Sequence, residues 1–220
     1  MGKLIVIEGL DGSGKHTQAV LLRDYLESTG KSVKLVSFPN YDSPSSSLVR
    51  MYLAGDFGTD ADSVNPYASS AFYAVDRFAS FRTEWKDFYE NDGIVIADRY
   101  TTSNAVHQCS KLPKNQWDGF LKWLFEFEYK YMDIPEPDTV IYLRTDTAVS
   151  QKLMSERYNS DETKKDIHER DVDYLKRSQI SADYCADKLG WNIIECMEKG
   201  FMRSVESISD EVKKITDSNK

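Results

Sequence analysis

Gly9-Leu10-Asp11-Gly12-Ser13-Gly14-Lys15-His16-Thr17 is the stretch that decides the fold. It follows an apolar run at residues 4–7 and opens an amphipathic segment at 15–29, a strand–loop–helix context. Glycines at 9, 12 and 14 let the backbone turn so that successive N–H groups face inward, toward phosphate oxygens. The helix that follows adds unpaired N-terminal donors and partial positive charge. Lys15 supplies a cation. One position departs from the motif: His16 stands where Ser or Thr normally offers a hydroxyl to Mg²⁺. Thr17 has a hydroxyl, but one step along a helix turns it about 100° away. Mg²⁺ is therefore expected to be held through water or carboxylates, with Asp11 and Asp98 as candidates.

Outward from this loop, short β-rich runs recur at 4–7, 33–38, 94–97, 139–143 and 191–195. Their continuous apolar character suits strands buried on both faces of a parallel sheet. Amphipathic segments at 15–29, 45–53, 66–90, 115–132, 148–158, 169–189 and 204–215 read as helices. The alternation predicts right-handed βαβ units and a doubly wound α/β fold with a five-stranded parallel sheet flanked by helices on both faces. No repeat or low-complexity linker divides the chain, so residues 1–220 are expected to form one domain. Residues 155–171 are dense in charge and poor in apolar side chains, as suits a small mobile lid over reacting groups.

The third strand run ends in Ala97-Asp98-Arg99-Tyr100. A carboxylate at the C-terminal end of a core strand lies at the ligand crevice of an open α/β sheet. Arg99 beside it is suited to fork onto a phosphate. A net charge of −8 argues against a nucleic-acid polymer as partner, but a few convergent cations can still hold a small anion. Cys109, Cys185 and Cys196 are odd in number and form no C-x-x-C pair, so they read as buried apolar filler in a reducing compartment. His16, His107 and His168 have no metal-ligand spacing. The N-terminal run is too short for a signal peptide and no stretch is long enough to span a membrane, so a cytoplasmic protein without membrane attachment is expected.

Taken together, these motifs resemble the thymidylate kinase family of P-loop nucleoside monophosphate kinases. The segment from Asp98 to Gln108 is similar to that family's D-R-Y-x-x-S-x-x-x-x-Q signature. The acidic third loop position, Asp11, fits it, as do the Phe38-Pro39 pair after the second strand and the aromatic Tyr73 four residues before Arg77. The motifs run in order from Gly9 to about Arg177. The resemblance implies a P-loop kinase fold and ATP-dependent conversion of dTMP to dTDP, with ADP as co-product, in dTTP biosynthesis. It implies that Gly9, Leu10, Asp11, Gly12, Ser13, Gly14, Lys15, His16 and Thr17 receive ATP with Mg²⁺. It implies that Arg99 and Tyr41, next to Phe38, hold the monophosphate, that Tyr73 stacks on the base and that Arg77 faces its edge. Ser103, Asn104 and Gln108 would line the base and sugar pocket, and Asp11 would approach the 3′-hydroxyl or the metal. Asn40 stands where many members carry Arg or Glu, and Arg50 is the nearest spare cation.

Bringing two anions together calls for several cations at one point. Lys15 serves the donor and Arg99 the acceptor. Gly12 leaves the loop without the arginine some members place there, so Arg157 in the charged stretch is the candidate for the transferring group. Phe120, Trp123, Leu124, Phe127 and Tyr131 recur at helical spacing as core or interface, and the resemblance favours a homodimer on such a face. Three other readings stand beside this one. They are a kinase for another deoxynucleoside monophosphate, a non-catalytic nucleotide-binding relative prompted by His16, and a GTP switch prompted by Thr163-Lys164-Lys165-Asp166, which does not follow an apolar strand.

Overall fold

The computed structural model describes residues 2–146, 149–150 and 167–218. Its centre is β1 (Lys3–Glu8), flanked by β3 (Ile94–Asp98) and β4 (Thr139–Arg144), with β2 (Val33–Ser37) and β5 (Asn192–Glu195) outside them. The order β2-β3-β1-β4-β5 is parallel throughout. This is the expected five-stranded sheet.

β1 shows why. Leu4, Ile5, Val6 and Ile7 are each no more than 3% exposed. Ile5 and Ile7 face one layer, where they pack with Leu22 and Leu26 of α1 (Lys15–Ser28) and Ile208 and Val212 of α9 (Val205–Ser218). Leu4 and Val6 face the other layer, with Phe81, Trp85, Val95 and Tyr100. A strand sandwiched between two helical layers has no polar face to show, so it reads as a continuous apolar run.

Further α-helices among the described residues are α2 (Ser47–Ala54), α3 (Pro66–Ser80), α4 (Lys86–Glu90), α5 (Thr101–Cys109), α6 (Trp117–Phe125), α7 (Ile167–Arg170) and α8 (Val172–Leu189). Three details differ from the sequence expectations. The predicted helices at 66–90 and 115–132 are interrupted or extended by π-helical turns, Phe81–Trp85 between α3 and α4 and Glu126–Tyr131 after α6. The predicted helix at 169–189 is split, because Asp171 caps α8 by accepting from the Tyr174 N–H at 2.8 Å. α5 was not anticipated at all. Its Thr-Thr-Ser-Asn start is rich in weak helix formers, yet those side chains find buried hydrogen-bond partners that only the tertiary structure supplies.

Cys109, Cys185 and Cys196 are free and buried, as expected of filler. The aromatic stripe of α6 divides. Phe120 and Leu124 are core, Trp123 stacks on Phe127 at 5.2 Å, and Tyr131 is 69% exposed. Most of the predicted helix at 148–158 and residues 155–166 of the expected lid at 155–171 lie outside the described residues; residues 167–171 form α7 and the cap of α8.

Candidate active site

Two strands deliver the site. Register pairs Ile7 of β1 with Asp98 of β3, so Glu8-Gly9 and Asp98-Arg99 leave the sheet side by side at its carboxyl end. With β3 and β4 on opposite sides of β1, this is the position where an open α/β sheet opens a crevice.

The loop from Gly9 to Gly14 turns over this edge. Gly12 and Gly14 have φ of 79° and 87°, the left-handed region that glycine adopts without cost. A Cβ on Gly12 would also come 2.7 Å from the Ser150 carbonyl oxygen. Gly14 starts α1 with no side-chain cap and no acidic residue occupies the first turn, so the opening N–H groups are left to an anion. Ser13 Oγ is buried without a hydrogen-bond partner. Its hydroxyl, the uncapped turn and Lys15 make a cradle of donors suited to phosphate. Lys15 Nζ bonds the Leu10 carbonyl at 2.8 Å and lies 4.0 Å from Asp11. Burial, reinforced by repulsion from Arg99 and offset in part by Asp11, brings the Lys15 pKa down to about 8. Ser150 Oγ donates to the Asp11 carbonyl. Thr17 is exposed.

Arg99 is the hub of the phosphate end. Its backbone sits at φ 69°, which costs a non-glycine residue about 1–2 kcal/mol. The conformation is held by an N–H bond to Ile7 O at 3.2 Å and by the side-chain network. Its guanidinium pairs with Asp11, lies 3.8 Å from Glu8, donates to Ser103 Oγ at 3.3 Å and meets His107 Nε2 at 3.4 Å. Burial opposes the charge on Asp11, but Arg99 and then Lys15 hold its carboxyl well below the usual range. Burial and the Arg99 charge press His107 down to about 3, so it stays neutral, accepts from Arg99 at Nε2 and donates to Tyr174 OH, 3.1 Å from Nδ1. His16 Nδ1 lies 3.2 Å from Asp98 Oδ2.

Glu8 was not singled out from sequence. It is 1% exposed and accepts from Gly9 N–H at 2.9 Å, Thr102 Oγ1 at 2.7 Å and Ser103 Oγ at 2.8 Å. A lone carboxylate ending an apolar strand was the signal. Ser103, expected at the base and sugar, thus ties Glu8 to Arg99.

A second cluster gathers around Arg77, whose side chain is 2% exposed and forks onto Glu128, at 0%. The bonds are Nε to Oε2 at 2.7 Å and Nη2 to Oε1 at 2.6 Å. Asn104 and Thr101 also bond Glu128. Glu128 too was missed, although it lies four and eight residues beyond Leu124 and Phe120 on the buried helix face, where a carboxylate is out of place without a partner.

Other predicted residues are scattered around these clusters. Tyr73 is half-buried one turn before Arg77 and meets Tyr52 edge-on at 6.5 Å. Gln108 is buried, accepting from Ser69 Oγ at 2.7 Å, with its Nε2 unpartnered. Phe38 is 3% exposed and packs on Tyr100 at 5.9 Å. Tyr41 is 52% exposed. Arg50 is not spare: it bonds the Tyr41 and Ser43 carbonyls and Ser46 Oγ, tying down the turn before α2. Asn40 points its amide at Glu84, 3.0 Å away. Arg157 and the 163–166 tetrapeptide lie outside the described residues.

Comparison with known proteins identifies the family. The thymidylate kinase family profile matches residues 7–208. A thymidylate kinase of Mycobacterium tuberculosis is 31% identical over 195 residues, covering 86% of this chain and 87% of that protein. A probable thymidylate kinase of Staphylothermus marinus is 32% identical over 151 residues, covering 69% and 67%. The solved thymidylate kinase of Candida albicans superposes with a TM-score of 0.69 over 99% of this chain and 92% of that one; at 22% identity the likeness speaks to fold. On the match of profile, sequence and fold, this chain belongs to the thymidylate kinase family.

Proposed function

We propose that this site runs the reaction its family is named for, transfer of the γ-phosphoryl group of ATP to dTMP, giving dTDP and ADP. The observation that carries the reading is the convergence of Lys15 and Arg99 at the carboxyl ends of β1 and β3, with Asp11 between them. Phosphoryl transfer needs positioning and charge neutralisation more than covalent chemistry. The loop N–H groups and Lys15 take the donor phosphates, and Arg99 with Tyr41 takes the acceptor phosphate. Asp11 is the anion that an incoming phosphate displaces from Arg99. Tyr73, Arg77, Asn104 and Gln108 serve the nucleoside.

For Mg²⁺, the donor set fits at one residue better than the other. Asp98 is a hard oxygen donor, 10% exposed at the end of β3 with His16 3.2 Å from Oδ2, whereas the Asp11 carboxylate faces two cations, Arg99 and Lys15. No group of three or more His, Cys, Asp or Glu that could hold a metal occurs among the described residues. Mg²⁺ takes one or two carboxylates and leaves its other positions to water and nucleotide oxygens. Asp98 would hold it, and the ion would supply charge neutralisation for the donor phosphates. Arg157 is assigned to the transferring group on sequence alone.

We read residues 1–220 as one nucleoside monophosphate kinase domain with a lid at about 155–171, in a cytoplasmic enzyme. No helix among the described residues is long and apolar enough to cross a membrane. Tyr67, 44% exposed, and Trp123, 4.6 Å from it, offer an aromatic face for a homodimer. Phosphorus NMR of the enzyme with ATP, Mg²⁺ and dTMP tests the reaction: dTDP and ADP should appear in equal amounts, and ADP without dTDP would reject the assignment.

A further inference from the structure

Glu128 has a role that phosphate chemistry does not explain. Its carboxylate accepts four bonds: Arg77 Nε at 2.7 Å, Arg77 Nη2 at 2.6 Å, Thr101 Oγ1 at 2.8 Å and Asn104 Nδ2 at 3.1 Å. Asn104 Nδ2 also donates to the Ser70 carbonyl at 3.1 Å. Both partners of that amide nitrogen are pure acceptors, so the orientation of the amide is chemically fixed. Its carbonyl oxygen is the end left over for a ligand. In the same way Glu128 takes Nε and Nη2 of Arg77. Nη1 and the second Nη2 proton are left, Nη1 with a long 3.4 Å contact to the Tyr100 carbonyl.

Glu128 Oε1 accepts from both residues, so it holds the remaining guanidinium donors of Arg77 and the Oδ1 acceptor of Asn104 in one network. A 4-oxo pyrimidine such as thymine or uracil presents the complement, an O4 acceptor beside an N3–H donor. Cytosine presents the reverse, a 4-amino donor beside an N3 acceptor. We propose that Glu128 is a positioning residue that sets base selectivity, holding Arg77 and Asn104 in the pattern that accepts 4-oxo pyrimidines and rejects cytosine. The inference rests on the assignment of a nucleoside monophosphate to this pocket. Charge is essential to it. A neutral amide in place of the carboxylate puts an N–H against Arg77 whichever way it turns, and in one orientation lets Asn104 flip.

The test is kcat/KM for dTMP, dUMP and dCMP in the wild type and in Glu128→Gln. Mispaired buried groups cost about 1–3 kcal/mol, so the dTMP/dCMP ratio should fall at least ~5-fold, with a higher KM for dTMP and an unchanged KM for ATP. Ile208→Val, a core change in α9 remote from this network, controls for stability and should leave the ratio alone. A ratio preserved within about twofold in Glu128→Gln overturns the proposal, as does a wild type that does not discriminate dTMP from dCMP. Should Glu128→Gln fail to fold, Asn104→Ala decides. It removes the acceptor while leaving the Arg77–Glu128 pair, and the same fall or constancy of the ratio applies. Absence of wild-type turnover with dTMP would instead fail the functional assignment, and calorimetric binding of dTMP against dCMP would then test Glu128 on its own.

Discussion

The two ends of the site use the same chemistry, an arginine paired with a carboxylate, in opposite settings. At the phosphate end, Arg99 and Asp11 are 17% and 29% exposed, and their charges remain open to exchange for a ligand. At the base end, Arg77 and Glu128 are 2% and 0% exposed and satisfy one another with further bonds from Asn104 and Thr101. A pair that must let go of its partner is kept near water, where an ion pair contributes little to stability. A pair that must hold a pattern is buried, where breaking it is expensive. The first pair handles charge and the second handles shape and hydrogen-bond sense.

Removing the donor-side cation should break the phosphate end outright. Lys15→Ala is expected to lower kcat by roughly 10²–10³-fold, the loss typical of one pre-organised charge-stabilising donor, with unchanged circular dichroism. A second measurement sets the two pairs against each other. Glu128→Ala should cost about 3–5 kcal/mol in urea unfolding, because it strands a buried guanidinium. Asp11→Asn should cost clearly less, because Arg99 is partly exposed and keeps Glu8 as a second anion 3.8 Å away. Equal costs would erase the distinction.

The pH dependence of binding sharpens the phosphate end further. Lys15 titrates at about 8 in the free protein against 10.5 for an ordinary lysine, and a bound phosphate anion stabilises its charged form and moves it back up. Between these values binding takes up a proton, so ATP affinity should fall as pH rises from 7 to about 10. Calorimetry in buffers of different ionisation enthalpy reads the uptake directly. The smallest effect is expected at His16. Restoring a hydroxyl with His16→Thr should lower the Mg²⁺ concentration for half-maximal activity by a few-fold, and an unchanged midpoint would mean that His16 does not impair metal binding.

The phosphate end was legible in the sequence because its geometry is local. Gly12, Gly14 and Lys15 act within one turn of chain, and Asp98-Arg99 ends a strand whose apolar pattern is unmistakable. At the base end Arg77 and Asn104 were legible through the family resemblance, but Glu128, which joins them, was not, because the centre of that cluster is non-local. Glu128 lies 51 residues from Arg77 and 24 from Asn104, and nothing in either local pattern names the other. α5 lacks a local helix signal for the same reason. Its Thr and Ser side chains disfavour a helix until Glu8 and Glu128 accept their hydroxyls. Arg50 read as available because its four oxygen partners, contributed by Tyr41, Ser43, Ser46 and Ser47, become close neighbours only when the turn has formed.

Initial rates with ATP, Mg²⁺ and a panel of dTMP, dUMP, dCMP and dGMP test the central claim most directly. The account predicts turnover of dTMP with dUMP following it and dCMP and dGMP far behind. Failure to phosphorylate dTMP, or equal rates for dTMP and dCMP, would contradict it.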